Sequence, residues 1–389
     1  MLTHYCNFYP VMKLNILIVE PFFAGSHAIW AQGYVENSIH NVSILSLPGR
    51  HWKWRMHGGA ITLAEKFNEL SQLPDVIIAS DMLDVSLFIS LVRHKIGDIP
   101  VITYFHENQL TYPWSSADSD VGNGRDAHYG FINYTSAMIS DGILFNSHFH
   151  LNSFTSALET FLHSFPDYQN YSEVSHIRNK SKVIYPGIDT ELFDLFQLTA
   201  KPSDPLLIIW NHRWEYDKNP EEFFKALKII KKNSIPFKLA VLGEKYHNSP
   251  KIFGDIQSEF CEHIVHFGFA DNIEDYAKIL QSGSILPVTS NQDFFGISII
   301  EAIYCGLQPL LPVRLSYPEL IPKEYHDKLF YSDFDDLVRK LETTLTGYDH
   351  SIENICRSIG IKYSWAVIGK KLDEFMQLAV SEKKTKDTT

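Results

Sequence analysis

Short apolar runs alternate with helix-length amphipathic segments along almost all of the 389 residues, and this alternation limits the possible folds most strongly. In the first half, the apolar runs cover residues 14–20, 42–47, 76–79, 101–105, 142–145 and 183–185. In the second half, they cover residues 206–210, 238–242, 263–267, 284–288 and 307–312. Strands that alternate with helices favour parallel sheets with helices on both faces. We therefore predict an α/β protein with two doubly wound, Rossmann-like domains.

The segment AKPSDP at residues 200–205 interrupts both periodicities and predicts the hinge between the domains. The N-terminal domain is then expected at residues 1–200 and the C-terminal domain at 201–363. An amphipathic helix is predicted at 364–380 and is expected to pack back on the N-terminal domain. The polar residues 381–389 are expected to be disordered.

The composition excludes several classes of protein. With 45% hydrophobic and 21% charged residues the chain is expected to be globular, and it has no apolar stretch of about 18 residues that predicts a membrane span. Cys6, Cys261, Cys305 and Cys356 are scattered without CxxC spacing, which disfavours a disulfide framework or a zinc site. The start of the sequence does not resemble a secretory signal, so a cytoplasmic location is expected. The net charge of -12 disfavours non-specific nucleic-acid binding but is compatible with a local basic patch.

The segment NHRWEYDKNP, residues 211–220, places two cations between a predicted buried strand and a predicted helix. Asn219 is expected at the N-cap and Pro220 at the first helical position. Arg213 and Lys218 would then lie near a helix N-terminus, whose free N–H groups favour anions such as a phosphate or diphosphate. A solvated polar turn is the alternative interpretation of these ten residues.

A second polar group lies in the same half. The loop at residues 291–296 contains Asp293, and the apolar helix that starts at Ile297 and ends at Gly306 contains Glu301. An unpartnered carboxylate among apolar neighbours is costly. Glu301 is therefore expected either to bind the hydroxyl groups of a ligand or to form a salt bridge with a nearby Arg or Lys.

Two acids with seven residues between them, preceded by an Arg and a Lys, resemble the donor site of the retaining family 4 glycosyltransferases of GT-B fold. The resemblance implies two domains that face each other across a cleft, with Arg213 and Lys218 on the diphosphate of a nucleotide sugar. It also implies that Glu301 holds the ribose and that Asp293, where the family usually has Glu, contacts sugar hydroxyls. The other donor-binding residues that it implies are Gly25, Ser26, Gly243, Glu244, Phe295, Gly296 and Ile297.

A wider resemblance rests on eight segments in one order: EPFFAGSH, HWKWR, FHENQLTYP, FNSHFHLNSF, NHRWEYDKNP, VLGE, DFFGISIIEAIYCG and YPELIP. Together they resemble the tRNA-queuosine mannosyltransferases. This resemblance implies transfer of mannose from GDP-mannose to queuosine in a tRNA anticodon, that of tRNA-Asp. It implies no metal cofactor and leaves the oligomeric state open, and a homologue can keep the donor site with a different acceptor.

Polar residues also follow two predicted strands of the first half. Gly25 allows close backbone approach, and Ser26 is expected to cap a helix that starts near Ala28. His106 and Glu107 follow the strand at 101–105, so both are expected to lie in the cleft. By resemblance, His106 contacts the transferred sugar and Glu107 contacts the acceptor or acts as an acid or base. The predicted catalytic residues are therefore His106, Glu107, Arg213, Lys218 and Asp293.

Aromatic and basic residues alternate between Arg50 and Arg55. Trp52, Lys53, Trp54 and Arg55 suit stacking on an exposed base with contacts to phosphates, and Asn108 and Arg125 are further candidate acceptor contacts. The alternative is that the Trp rings pack against the domain while the cations extend to water. A D-x-D sequence at Asp118 and Asp120 follows no predicted strand, so a mobile loop is favoured there over a metal site.

Overall fold

The computed structural model describes residues 13–114, 120, 127–198, 204–244 and 249–386. This part of the chain forms two six-stranded sheets with helices on their faces. The strands of the first sheet lie in the order 41–48, 15–23, 76–80, 101–105, 142–145 and 181–183. Those of the second lie in the order 330–331, 308–312, 285–287, 207–211, 238–242 and 264–268, and every pairing is parallel. The two doubly wound domains predicted from the alternation are therefore confirmed.

The N-terminal sheet and its helices come first along the chain. The strands are β1 (Asn15–Phe23), β2 (Asn41–Pro48), β3 (Val76–Ser80), β4 (Val101–Phe105), β5 (Gly142–Phe145) and β6 (Ser181–Val183). The helices are α1 (Gly25–Asn37), α2 (Trp52–Asn68), α3 (Val85–Ile96), α4 (Ala127–Ile139), α5 (His148–His163), α6 (Ser172–Asn179) and α7 (Thr190–Leu195).

The C-terminal sheet follows. Its strands are β7 (Leu207–Asn211), β8 (Lys238–Leu242), β9 (Ile264–Gly268), β10 (Ile285–Pro287), β11 (Gln308–Pro312) and β12 (Phe330–Tyr331). The helices are α8 (Pro220–Lys232), α9 (Ile252–Glu259), α10 (Ile273–Ser282), α11 (Ile297–Tyr304), α12 (Tyr317–Leu320), α13 (His326–Leu329), α14 (Phe334–Thr346), α15 (Ser351–Gly360) and α16 (Trp365–Lys386). Single turns of 3-10 helix lie at Tyr216–Lys218, Lys323–Tyr325 and Ile361–Tyr363.

The continuous apolar runs reflect strands that are covered on both faces. Every residue of β3, β4, β5 and β7 is buried. A strand buried on both faces shows no alternation of polar and apolar residues. Because all strands run parallel, polar loops collect at the carboxyl ends of each sheet, where ligands bind in such folds.

The C-terminal helix α16 returns to the N-terminal domain. The Tyr34 hydroxyl of α1 donates to Asp373 Oδ1 at 2.9 Å, and a Cβ placed at Gly33 would lie 2.3 Å from the Trp365 ring. The expectation that residues 381–389 are disordered was wrong in part, because α16 continues to Lys386. Residues 387–389 lie outside the described residues. Strand β12 was not predicted, since two residues carry no periodicity.

Candidate active site

Lys218 lies in the loop between β7 and α8, within the turn Tyr216–Lys218. Its side chain is buried, and its Nζ donates to the Gln292 carbonyl oxygen at 2.6 Å and to Asp293 Oδ1 at 3.0 Å. Asp217 Oδ2 also lies 3.0 Å from the same nitrogen. One of the two predicted anion-binding cations is therefore held between two carboxylates.

The Lys218–Asp293 pair is ionised. Burial lowers the pKa of Lys218, but the carboxylates of Asp293 and Asp217 outweigh burial and the net shift is upward. Burial raises the pKa of Asp293, but Lys218 and its other polar neighbours outweigh burial and the net shift is downward. The Tyr317 hydroxyl donates to Asp293 Oδ2 at 2.6 Å and fixes the other side of the carboxylate. A positive charge held in this way stabilises a nearby anion without reorganisation.

Arg213 projects into the space between the domains. Its side chain is about half exposed, and its Nη2 lies 3.2 Å from Glu215 Oε2. The same nitrogen donates to the hydroxyl of Tyr112, which belongs to the N-terminal domain, at 3.4 Å. Arg213 therefore lies where a ligand can contact both domains.

Helix α8 begins as the sequence indicates, with Pro220 at its first position and Asn219 at its N-cap. The Asn219 side chain, however, does not cap the helix. It donates instead to Glu222 Oε2 at 2.7 Å, and Asn219 has a left-handed backbone conformation with φ 53°.

The loop after β10 brings Asp293 to the start of α11. Gly296 has φ 87° and is the N-cap residue of this helix, whose first residue is Ile297. Phe295 is buried and packs on Tyr185, with ring centroids 5.8 Å apart. The side chain of Phe295 therefore belongs to the core, and the backbone around Gly296 and Ile297 is the part of this loop that remains for donor contacts.

Glu301 lies in the second turn of α11. Its carboxylate accepts a hydrogen bond of 2.5 Å from the Tyr276 hydroxyl, which itself accepts one of 3.0 Å from Asn211 Nδ2. Burial raises the pKa of Glu301 to about 7, although the bond from Tyr276 acts in the opposite direction. Among the described residues no Lys or Arg pairs with Glu301, so a hydroxyl takes the place of the salt bridge that was the alternative interpretation.

Gly243 follows β8 in a backbone conformation that favours glycine, with φ 143°. A Cβ at this position would lie 2.0 Å from the carbonyl oxygen of His212. The exposed Glu244 accepts a hydrogen bond from the Trp214 backbone N–H at 3.2 Å through its own carbonyl oxygen. Because residue 243 is a glycine, the loop after β8 can lie directly against the loop after β7 that contains Arg213.

On the N-terminal side, the turn after β1 presents Gly25 and Ser26 to solvent. Gly25 has φ 52°, as expected of a glycine in a tight turn. The expectation that Ser26 caps the helix was wrong, because α1 already begins at Gly25 and Ala24 is its N-cap residue without a side-chain bond. Ser26 lies inside the first helical turn, and its hydroxyl makes no hydrogen bond within the described ranges.

His106 occupies the loop after β4. Its backbone N–H donates to Asp81 Oδ1 at 2.8 Å, and its carbonyl oxygen accepts from Asn146 Nδ2 at 2.7 Å. Its ring lies against the rings of His27 and Trp30, with centroids 4.2 and 5.1 Å away. Burial and the nearby His27 hold the pKa of His106 well below its usual value, so its ring is neutral.

The next two residues differ in exposure. Glu107 is half-buried and its Oε1 accepts from Gln109 Nε2 at 2.8 Å. Asn108 is fully buried, and its Oδ1 accepts from the backbone N–H groups of Leu110 and Thr111, both at 3.0 Å. Asn108 therefore stabilises the turn, and its contact with an acceptor stays a prediction.

The aromatic and basic segment forms the first turn of α2, and its residues divide into two groups. Trp52 packs against Tyr129, and Lys53 Nζ lies 2.5 Å from Asp120 Oδ2. Trp54 is 63% exposed, and Arg55 Nε donates to the Pro48 carbonyl oxygen at 3.1 Å. Both alternatives thus hold in part, since Trp52 packs inward and Trp54 faces solvent. Arg125 and Asp118 lie outside the described residues.

Within the described ranges, one group of side chains meets the spacing of a metal site. A ligand atom from each of Glu20, His27 and His106 lies within 4.8 Å of the others. His27 Nδ1 already lies 3.0 Å from Glu20 Oε2, and the other Glu20 oxygen accepts from the Phe22 N–H at 2.7 Å. Burial lowers the pKa of His27, but Glu20 outweighs burial and raises it to about 9. A protonated His27 fits a salt bridge better than a metal ligand.

Contacts between the domains surround this site. The Phe294 ring stacks on His150 of α5 at 3.9 Å, and the Glu319 carboxylate accepts from the backbone N–H groups of His148 and Phe149 at 3.0 and 3.3 Å. An acid at a helix N-terminus satisfies free N–H groups and the helix dipole. Glu319 thereby joins the C-terminal domain to the start of α5.

Sequence reasoning missed several residues of this site. They are Glu20, Asp81, Tyr112, Asn146, Tyr276, Tyr317 and Glu319. Glu20 and Asp81 come at strand ends, which is a signal that could have been used. Nothing in the local sequence distinguishes the three tyrosines as members of a site. None of the helices within the described ranges combines the length and the apolar character that a membrane span requires.

Two family models and a relative of known family match the two halves of the chain. Residues 15–188 match the family model described as tRNA-queuosine alpha-mannosyltransferase N-terminal, and residues 193–357 match the model for glycosyl transferases group 1. The chain is 35% identical over 337 residues to the tRNA-queuosine alpha-mannosyltransferase of Drosophila melanogaster, covering 85% of this chain and 86% of that protein.

Solved structures show the same fold at low identity. Sucrose-phosphate synthase from Thermosynechococcus elongatus superposes with a TM-score of 0.69 at 12% identity, covering 95% of this chain and 100% of that one. A glycosyltransferase from Rickettsia africae superposes with a TM-score of 0.63 at 17% identity, covering 95% of this chain and 99% of that one. The expected GT-B architecture is confirmed.

Proposed function

The chain belongs to the tRNA-queuosine alpha-mannosyltransferase family of glycosyltransferases, and from this membership we propose that it transfers mannose from GDP-mannose to queuosine in a tRNA anticodon, that of tRNA-Asp. We also propose that it acts in the cytoplasm, because its proposed acceptor is a tRNA. The reaction is proposed to need no metal cofactor.

One relationship supports this function most directly. Arg213, in the domain that matches the group 1 glycosyltransferases, reaches Tyr112 in the domain that matches the queuosine-specific family. Tyr112 lies only a few residues after His106 and Glu107. The cations expected on the donor, Arg213 and Lys218, and the candidate acceptor residue Glu107 are therefore expected to line the same cleft.

The chemistry follows from the charges in this cleft. The bond between the anomeric carbon and the diphosphate oxygen breaks, and its electron pair remains on the diphosphate. The acceptor hydroxyl forms the new bond on the same face of the sugar, and its proton passes to the departing phosphate oxygen. Arg213, Lys218 and the N-terminus of α11 stabilise the negative charge as it develops. The neutral His106 contacts the transferred sugar.

Incubation with GDP-mannose and queuosine-bearing tRNA tests the proposal. After digestion to nucleosides, we expect a hexose mass increment on queuosine. The matched control is the same tRNA with guanosine at that position, which should gain no mass.

Two other outcomes would favour other functions. Donor turnover without a modified nucleoside would indicate a different acceptor, such as a glycolipid or a small metabolite, which the net charge of -12 favours over nucleic acid. Donor binding without turnover would indicate a nucleotide-sugar sensor, an alternative that the replacement of the usual Glu by Asp293 keeps open.

A further inference from the structure

Asp81 carries a buried carboxylate oxygen that has no hydrogen-bond partner in the described ranges. The residue follows β3 and is 1% exposed. Its Oδ1 accepts from the His106 N–H at 2.8 Å, whereas Oδ2 accepts no hydrogen bond. A buried polar atom left in this state is destabilising unless a ligand or another group satisfies it.

The surroundings of this oxygen carry an excess of negative charge. We call Glu20, Asp81 and Glu107 the acidic pocket: Glu20 lies in the last part of β1, Asp81 directly follows β3, and Glu107 lies in the loop after β4. His27 is the cation that interacts with all three. Burial raises the pKa of Asp81 to about 8; His27 acts in the opposite direction and Glu107 raises the pKa further. A carboxyl with this pKa is mostly protonated at neutral pH, so a cationic ligand beside Asp81 would stabilise its ionised form and gain Oδ2 as a charged acceptor.

Among the described residues, the two donor-side cations of the cleft pair with other acids. Lys218 is held by Asp217 and Asp293, and Arg213 pairs with Glu215. The nucleotide sugar is itself an anion and belongs with these cations. A positive charge for the acidic pocket must therefore come from somewhere other than the donor.

The proposed acceptor supplies such a charge. In queuosine a secondary amine joins the cyclopentenediol ring to the modified guanine, and an amine of this type is protonated at neutral pH. Only a few covalent bonds separate it from the ring hydroxyls. When a hydroxyl is in position beside His106, the amine must lie in the immediate neighbourhood, where Asp81 and Glu107 flank that residue.

Resting on the proposed function, we propose that Asp81 and Glu107 bind the protonated secondary amine of the acceptor nucleoside. Glu107 is half-buried and approaches the amine from the cleft, while Asp81 supplies the deeper oxygen. Recognition of this charge distinguishes queuosine from unmodified guanosine, which has no amine at that position.

Asp81→Asn tests the inference with little change in shape. The amide oxygen keeps the bond to the His106 N–H, while the NH₂ group replaces Oδ2 and cannot accept from an ammonium. We expect KM for queuosine-bearing tRNA to rise roughly 10- to 100-fold, which corresponds to the loss of a charged hydrogen bond. The affinity for GDP-mannose should stay unchanged. Glu107→Gln should act in the same direction, and Asp98→Asn, at an exposed acid of the same domain, is the matched control.

A second substrate separates charge recognition from a structural effect. We would compare tRNA carrying queuosine with tRNA in which an ether oxygen replaces the secondary amine. The wild-type protein should prefer the amine, and Asp81→Asn should lose that preference. If Asp81→Asn weakens both substrates equally, the inference is overturned and the proposed function still stands.

The remaining outcomes are also decisive. If the wild-type protein transfers no mannose to either tRNA while it binds GDP-mannose, the proposed function fails and the inference fails with it. If chelation abolishes wild-type activity and the amine gives no preference, the acidic pocket binds a metal ion and the inference is overturned.

Discussion

The Lys218 ammonium lies 3.0 Å from the Asp293 carboxylate, so the residue expected on the diphosphate and the residue expected on the sugar are joined directly. The pair links the loop after β7 to the loop before α11, which are far apart along the chain but adjacent in the sheet. Cation and acid therefore hold each other in one geometry, and we expect the diphosphate and the sugar of the donor to meet beside this pair.

Replacing Arg213 and Lys218 by Ala should lower transfer in both variants but should lower stability in only one of them. Arg213→Ala should lower kcat roughly 100-fold or more, because it removes a group that stabilises the departing diphosphate. Since Arg213 is half exposed, the free energy of unfolding should change by less than about 0.5 kcal/mol. Lys218→Ala should lose transfer and also about 3–5 kcal/mol of stability, because it leaves Asp217 and Asp293 without their cation.

Urea unfolding and mannose transfer, measured on the same preparations, check both expectations. Near-normal transfer by either variant would contradict the assignment of these residues to the diphosphate. Equal losses of stability in the two variants would contradict the buried ion pair.

Donor affinity should depend on the ionisation of Glu301. Its pKa is raised to about 7, so the carboxyl is mostly protonated below that pH and ionised above it. An ionised carboxylate accepts hydrogen bonds from ribose hydroxyls at both oxygens, whereas the protonated form gives up one acceptor. We therefore expect the dissociation constant of GDP-mannose to fall as the pH rises through about 7.

Calorimetric titrations between pH 6 and pH 8 measure this dependence. Glu301→Gln should bind the donor more weakly and lose this pH dependence. If the variant shows the same dependence as the wild type, another group is responsible.

A glycine comparison tests the close approach of the β8 loop. Gly243→Ala should cost more than about 2 kcal/mol, because its Cβ would lie 2.0 Å from the His212 carbonyl oxygen and its φ is 143°. Gly254 is the matched control, since a Cβ there meets nothing within 4 Å and the residue lies in α9. Gly254→Ala should be neutral or stabilise the protein by about 0.5–1 kcal/mol.

Thermal unfolding of the two variants provides the comparison. Gly243→Ala should lower the melting temperature, whereas Gly254→Ala should raise it or leave it near the wild-type value. Equal destabilisation would contradict the tight contact at Gly243.

The fold was predictable because its physical signal is local. Strands such as β4 and β8 lie at the predicted residues since a strand buried on both faces must be a short apolar run. The positions of Arg213, Asp293 and His106 were predictable for the same reason, because each lies in the loop after such a strand. A strand of two residues, β12, has no such signal.

The partners of these residues were not predictable, because they come from distant elements. Tyr276 reaches Glu301 from α10, and Glu319 reaches the start of α5 from the other domain. Ser26 illustrates a local failure, since the helix begins one residue earlier than the serine and caps without it. Pairings of this kind depend on how the elements pack, which periodicity does not encode.

Trp54 and Trp52 should respond differently to substitution, because the first turn of α2 exposes one ring and packs the other. Trp54 is 63% exposed, so Trp54→Ala should leave stability nearly unchanged and raise KM for tRNA about 5- to 100-fold by removing a surface on which a base can stack. The Trp52 ring lies 5.1 Å from Tyr129 and 6.1 Å from Trp114, so Trp52→Ala should cost about 1–3 kcal/mol of stability. Thermal unfolding and transfer at varied tRNA concentration distinguish the two effects. Trp54→Phe retains an aromatic face and should restore most of the affinity. An unchanged KM in Trp54→Ala would place the acceptor on another surface.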